Sequence, residues 1–108
     1  MKEIAHTPKP PYFAVIFTSK RTDFEDEYAD VAEEMFRLAS IQPGFLGVES
    51  ADDGLGITVS YWASLEAIQA WKRNERHMMA QDRGRADWYR EYKTRVCKVE
   101  RDYEYEAD

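Results

Sequence analysis

The order of strand-like and helix-like segments predicts an α+β domain, a four-stranded antiparallel sheet with helices covering one face. Three observations carry this expectation. An aromatic and β-branched run opens the folded part, an amphipathic helix pattern follows it, and turn-rich segments then separate further alternating strands from a second helical stretch.

The first run, Tyr12 to Ser19 (YFAVIFTS), is short, apolar and rich in residues that fit a pleated surface, so it reads as a strand. Residues 1–11 before it carry three of the four prolines and no periodicity, and are expected to form a flexible N-terminal arm to a domain spanning 12–108. Thr22 and Glu25 have capping-box spacing. Phe24, Tyr28, Val31, Ala32, Met35, Phe36 and Ala39 then recur at helical spacing, predicting a helix over about 24–40. Pro43-Gly44 stops it. Phe45 to Ser50 and Ile57 to Trp62 are expected to pair as a hairpin across ADDGLG. Ser64 is an N-cap for a short helix carrying Leu65, Ile68 and Trp71, expected to end near Arg73-Asn74. Residues 75–92 read as further helical pieces interrupted at Gly84, and Arg95 to Tyr105 alternates as a last strand. The order strand, helix, strand, strand, helix, strand is that of a ferredoxin-like split βαβ domain. Phe17, Trp62 and Tyr103 are expected on the sheet face that the helices leave open, where a second copy of the chain would cover them.

Composition narrows the function classes. At 108 residues the chain has room for one core, and its formal charge of −6 opposes the phosphate neutralisation on which nucleic-acid binding depends. No apolar run approaches the roughly 20 residues that span a bilayer, and the start lacks the apolar stretch of a signal peptide, so no membrane partner and a cytoplasmic location are expected. Cys97 is the single cysteine, which rules out a disulfide or multi-cysteine zinc site within one chain, and its strand pattern reads as a buried small hydrophobe.

Ser60 to Tyr103 contains a strand ending in Tyr61-Trp62, a Ser-initiated helix reaching Trp71, the element HxxAQxxGR at 77–85, and a strand closing in Arg101-Asp102-Tyr103. In order and spacing this stretch resembles the antibiotic-biosynthesis-monooxygenase family, and the likeness extends more weakly over residues 12–105. The resemblance implies a ferredoxin-like subunit whose sheet pairs with a second to form a dimeric α+β barrel. It also implies, for part of the family, oxygenation of polycyclic phenols or quinols with neither metal nor organic cofactor. Another branch degrades haem, using an Asn on the first strand, a Trp on the helix after the third strand and a His ligand about ten residues beyond. Trp71 matches that Trp, but the ligand position falls on Gln81 and YFAVIFTS has no Asn. His77 could supply such a ligand only after a shift of about one helical turn.

His77, Gln81, Gly84, Trp88 and Tyr92 lie three to four residues apart and would form one stripe on a continuous helix. His77 is the one histidine in the folded part and the candidate base for deprotonating a phenol or quinol, although a histidine so placed is also a common packing residue. Trp62, Trp71 and Trp88 could sandwich a planar ligand or serve as ordinary core. Gln81, Arg83 and Tyr92 complete the candidate substrate-binding set, with Arg83 able to meet an anionic group or a neighbouring acid. The leading expectation is a homodimeric, cofactor-independent monooxygenase acting on a small aromatic or quinol compound. A non-catalytic dimeric module that holds an apolar ligand, or is linked to stress, is the alternative.

Overall fold

The structure is a computed structural model that describes residues 3–23, 28–82 and 88–107, with side chains described for 3–23, 28–75 and 88–107. Its elements are β1 (Tyr12–Arg21), α1 (Tyr28–Ser40), β2 (Phe45–Asp52), β3 (Gly56–Trp62), α2 (Leu65–Asp82) and β4 (Tyr89–Val99). The strands form one antiparallel sheet in the order β2-β3-β1-β4. That is the α+β architecture the sequence predicts, with α1 and α2 on one face.

Alternation along β1 decides which residues meet the helices. Phe13 and Val15 pack against the cluster formed by Ala39 of α1, Ile68 of α2 and the fully buried Trp62 of β3. Trp62 pairs directly with Phe13 across the β1–β3 ladder, so both project to the helix side. Phe17, two further period-2 steps along β1, shares that side with Phe13 and Val15. Phe17 and Trp62 therefore lie under the helices, contrary to the open-face expectation; a strand's side chains change face with every residue, and the sequence does not fix the phase. Tyr103 is 86% exposed and belongs to no strand. Cys97 pairs with Ala14 and is exposed, because β4 is an edge strand and the Ala14 side of the sheet faces away from α1 and α2.

Strands β1, β2 and β3 run one or two residues beyond the expected ends, and three larger differences in boundary bear on the site. The first is the end of α2, which runs unbroken to Asp82 rather than stopping near Asn74. No Gly or Pro interrupts the helix there, and the Asn74 side chain donates to Gln42 Oε1 at 3.4 Å instead of competing for its own backbone. The second is the start of β4 at Tyr89, because β1 continues to Arg21 and its ladder recruits 89–94 as strand. The stripe from His77 to Tyr92 is consequently split between a helix and a strand. The third is the end of β4 at Val99, the partner of Tyr12, beyond which Pro11 has no N–H with which to extend the ladder. The Thr22–Glu25 capping box and the first turn of the expected helix involve residues 24–27, outside the described residues.

Local chemistry sets the turns. Gly44 has φ +87° and its carbonyl accepts from Ala63 N at 2.7 Å, while a Cβ there would stand 2.6 Å from that of Ala67. Only glycine allows β2 to enter this close to α2. Ser64 Oγ accepts from Ala67 N at 3.1 Å, the N-cap bond expected of it.

On the other face, the chain before β1 is tied to the sheet. Ala5 N donates to Glu49 Oε2 at 2.9 Å, and Tyr61 Oη donates to the other oxygen of that carboxylate at 2.6 Å. Thr7 Oγ1 donates to Tyr12 Oη, which donates to Asp102 at 2.6 Å. Tyr12 is therefore buried although it faces away from the helices.

Candidate active-site cavity

Close packing between helices and sheet is concentrated where Trp62, Ile68 and Ala39 meet. Toward the Arg21 end of β1 the layers part around an open-mouthed cavity of about 840 Å³. Val15, Phe17, Ser19 and Arg21 of β1 form its floor with Thr58 and Ser60 of β3 and Tyr92 and Thr94 of β4, while α1 contributes Tyr28, Val31, Met35 and Phe36. Ile68, Trp71, Lys72 and Glu75 line it from α2, a spacing of three and four that keeps one helical stripe turned inward.

Aromatic contacts set the shape of the walls. At one end Trp62 lies nearly parallel to Trp71, with centroids 6.2 Å apart and 22° between planes, and meets Phe45 edge-on at 5.4 Å. Trp62 Nε1 donates to Ser60 Oγ at 2.9 Å, so the indole is held at its polar atom as well as by packing. At the other end Phe17 contacts Tyr89 at 5.5 Å and Tyr92 at 5.3 Å, and Tyr28 meets Trp88 edge-on at 5.5 Å. Arg21 lays its guanidinium carbon 3.3 Å from the centroid of the Tyr28 ring. Tyr89 Oη donates to Tyr28 Oη at 3.4 Å. The cavity is thus apolar at the Trp62 end and lined with hydroxyls, a cation and the carboxylate of Glu75, which acts on Tyr89, at the Arg21 end.

Burial, followed by the hydrogen bond to Tyr28, pushes the Tyr89 hydroxyl well above the ordinary tyrosine range, so it stays a hydrogen-bond donor at neutral pH. Burial raises Tyr61 similarly, and Tyr12 is raised chiefly by its bond to Asp102. A tyrosine whose folded-state pKa exceeds its unfolded value stabilises the fold fully below the unfolded pKa, and that contribution is lost as pH rises through the folded one. Thermal stability is accordingly expected to fall as pH rises above about 10. Tyr89→Phe should fall less steeply in melting curves recorded from pH 8 upward, and identical slopes for the two proteins would contradict the assignment.

Four of the residues singled out from sequence, Trp62, Trp71, Trp88 and Tyr92, line this one cavity. Trp88 is 4% exposed, and Tyr92, at 41%, lies at the margin. His77 and Gln81 belong to the last turns of α2, but their side chains lie outside those described, and Arg83 lies outside the described residues. Sequence reasoning missed Arg21, Tyr28, Glu75 and Tyr89 as site residues. Signals for two of them were present: Arg21 continues the period-2 series Phe17, Ser19, and Glu75 follows Trp71 by one helical turn. Among the described residues, no three His, Cys, Asp or Glu side chains gather as a metal site, and no helix is long and apolar enough to cross a membrane.

A ferredoxin-like sheet with an aromatic cavity beneath its helices defines a class, and the antibiotic biosynthesis monooxygenase family model matches residues 11–83. The chain belongs to that family. It is 50% identical over 103 residues to the uncharacterized protein YqjZ of Bacillus subtilis (strain 168), spanning 94% of this chain and 90% of that one. Its fold is similar to that of NE2512 from Nitrosomonas europaea, a protein of unknown function, with a TM-score of 0.62, 18% identity and coverage of 91% and 97% of the two chains. PA3566 from Pseudomonas aeruginosa gives a TM-score of 0.58 at 17% identity, covering 91% and 99%.

Proposed function

We propose that the protein is a monooxygenase acting on a small aromatic or quinol-type compound held in the cavity, without a metal or organic cofactor. The observation that carries this reading is a cavity of about 840 Å³ lined by all three tryptophans of the chain, within the usual size of a small-molecule site. A planar ring fits between such walls by offset and edge-on contacts.

In the reaction proposed, a base removes the phenolic proton and the electron-rich anion reacts with dioxygen at a ring carbon. One oxygen atom stays as a quinone carbonyl and the other leaves as water. For 1,5-dihydroxynaphthalene, C10H8O2 plus O2 gives C10H6O3 plus H2O, so substrate carbon is oxidised, oxygen is reduced and no further reductant is consumed. The protein's share is to bind, deprotonate and exclude bulk water. Glu75 supplies a carboxylate in the cavity wall, and His77, two residues along α2, is the imidazole candidate.

Oxygen consumption with 1-naphthol and 1,5-dihydroxynaphthalene tests the reading. One dioxygen per quinone formed, with no hydrogen peroxide, is the expected result. Tight binding of both compounds with no uptake would replace it with the non-catalytic binding module.

The protein acts as a homodimer in this reading, through the sheet face turned away from the helices. Ile16, Val59 and Val99 share that face by alternation, with exposed Cys97 beside them. Sedimentation should give twice the single-chain mass. Val59→Lys places a charge in the middle of the face, opposite Glu49 on β2, and is expected to give monomers that remain folded. A variant that remains dimeric would move the interface elsewhere.

A further inference from the structure

The two ends of the cavity differ in chemistry, and the difference selects among aromatic ligands. Trp62 pairs with Phe13 near the start of β1, whereas Arg21 ends that strand, so the apolar wall and the guanidinium are separated by about 20 Å or more of strand. We infer that the Arg21 end is an oxyanion subsite, and that the cavity takes a planar aromatic compound carrying a negatively charged oxygen, which Arg21 receives. This deepens the proposed function and rests on its reading of the cavity as an aromatic site.

Three observations support the inference. Arg21 is placed by the fold, because β1 and β4 shift register between Lys20 and Arg21, and this shift pairs Arg21 with Tyr89. Its guanidinium is held in orientation by the Tyr28 ring at 3.3 Å, which covers one face and leaves the in-plane N–H donors as the polar edge. A guanidinium has five such donors, so an incoming oxygen can be accommodated beside acceptors already present. Tyr89, paired with Arg21, donates to the Tyr28 hydroxyl, and the proton of that hydroxyl is a further donor at the same end. The cavity wall also contains Lys72, Glu75 and Asp52. Lys72 is the competing cation, and the test must separate it from Arg21. The chain as a whole carries −6, so attraction of an anion into the cavity has to come from a local cation rather than from the overall field.

Calorimetric titration with 1-naphthoate and its neutral counterpart 1-naphthamide decides the matter. Wild-type protein is expected to bind the anion at least about tenfold more tightly than the amide. Arg21→Met should abolish that preference, the two probes then binding alike, and Lys72→Met should keep it. Should Arg21→Met fail to fold, Arg21→Lys provides the second reading, with the preference reduced because an ammonium cannot reproduce the planar fork. Equal affinities in the wild type, or a preference that survives Arg21→Met and disappears in Lys72→Met, would overturn the assignment to Arg21. Amide binding reports the aromatic cavity by itself. If the amide binds and no anion preference exists, only the subsite falls; if neither probe binds, the proposed function loses its support as well.

Discussion

Trp62→Ala is expected to destabilise the domain by about 3–5 kcal/mol, the range for removing a large aromatic side chain from a packed site. Trp62 is fully buried, the largest side chain in that state. It joins β3 to four other elements: it pairs across the ladders with Phe13 of β1 and Phe45 of β2, packs against Trp71 of α2, and anchors the cluster containing Ile68 of α2 and Ala39 of α1. Phe13, Val15, Phe45 and Trp71 around it are held by the sheet and by α2, so collapse refills little of the space an alanine leaves. The expected drop in melting temperature is about 12 °C or more for a domain of this size. Trp62→Phe keeps an aromatic plane against Trp71 and should lose less than half as much. Urea unfolding of the three proteins measures this directly, and a loss below about 1 kcal/mol for the alanine variant would show that another group holds the layers together.

Glu75→Gln should lower oxygen uptake on a responsive phenol by about 10²-fold or more, the contribution typical of a positioned general base. The substitution preserves size and hydrogen-bonding reach but removes the ability to accept a proton at neutral pH. Glu75 lies in the cavity wall on the same stripe as Ile68, Trp71 and Lys72. His77→Ala is the companion variant, testing the imidazole two residues further along α2. Steady-state oxygen uptake of both variants against wild type separates the two. If His77→Ala abolishes turnover and Glu75→Gln spares it, the imidazole is the base.

Much of the fold was legible because its signals are local. The Tyr12 run, the Pro43-Gly44 stop and the Ser64 cap each depend on neighbouring residues, and β1, the start of β2 and the α2 N-cap fall where those signals place them. What the sequence did not reveal depends on partners distant along the chain. Tyr89 to Thr94 became strand because Arg21 to Phe17 lay alongside to pair with them, and nothing within 89–94 announces that ladder. The phase of the alternation is hidden for the same reason, and Phe17 and Trp62 lie on the face opposite to the expected one. Trp71 and Trp88 were recognisable as pocket candidates from residue type. Arg21 and Tyr28 acquire meaning only when β1, α1 and β4 converge, bringing a guanidinium onto a ring seven residues away in sequence.

All three tryptophans of the chain face the same cavity, and at the Arg21 end Tyr28 touches Trp88 while Tyr89 and Tyr92 stand close by. The tryptophan emission of the protein therefore arises from the walls of its own cavity, with no indole elsewhere to dilute it. Tyrosine excitation at that end can pass to Trp88 over a few ångströms, so an aromatic guest that competes for that excitation or quenches the indole changes the emission. The molecule carries its own optical probe of occupancy and needs no label.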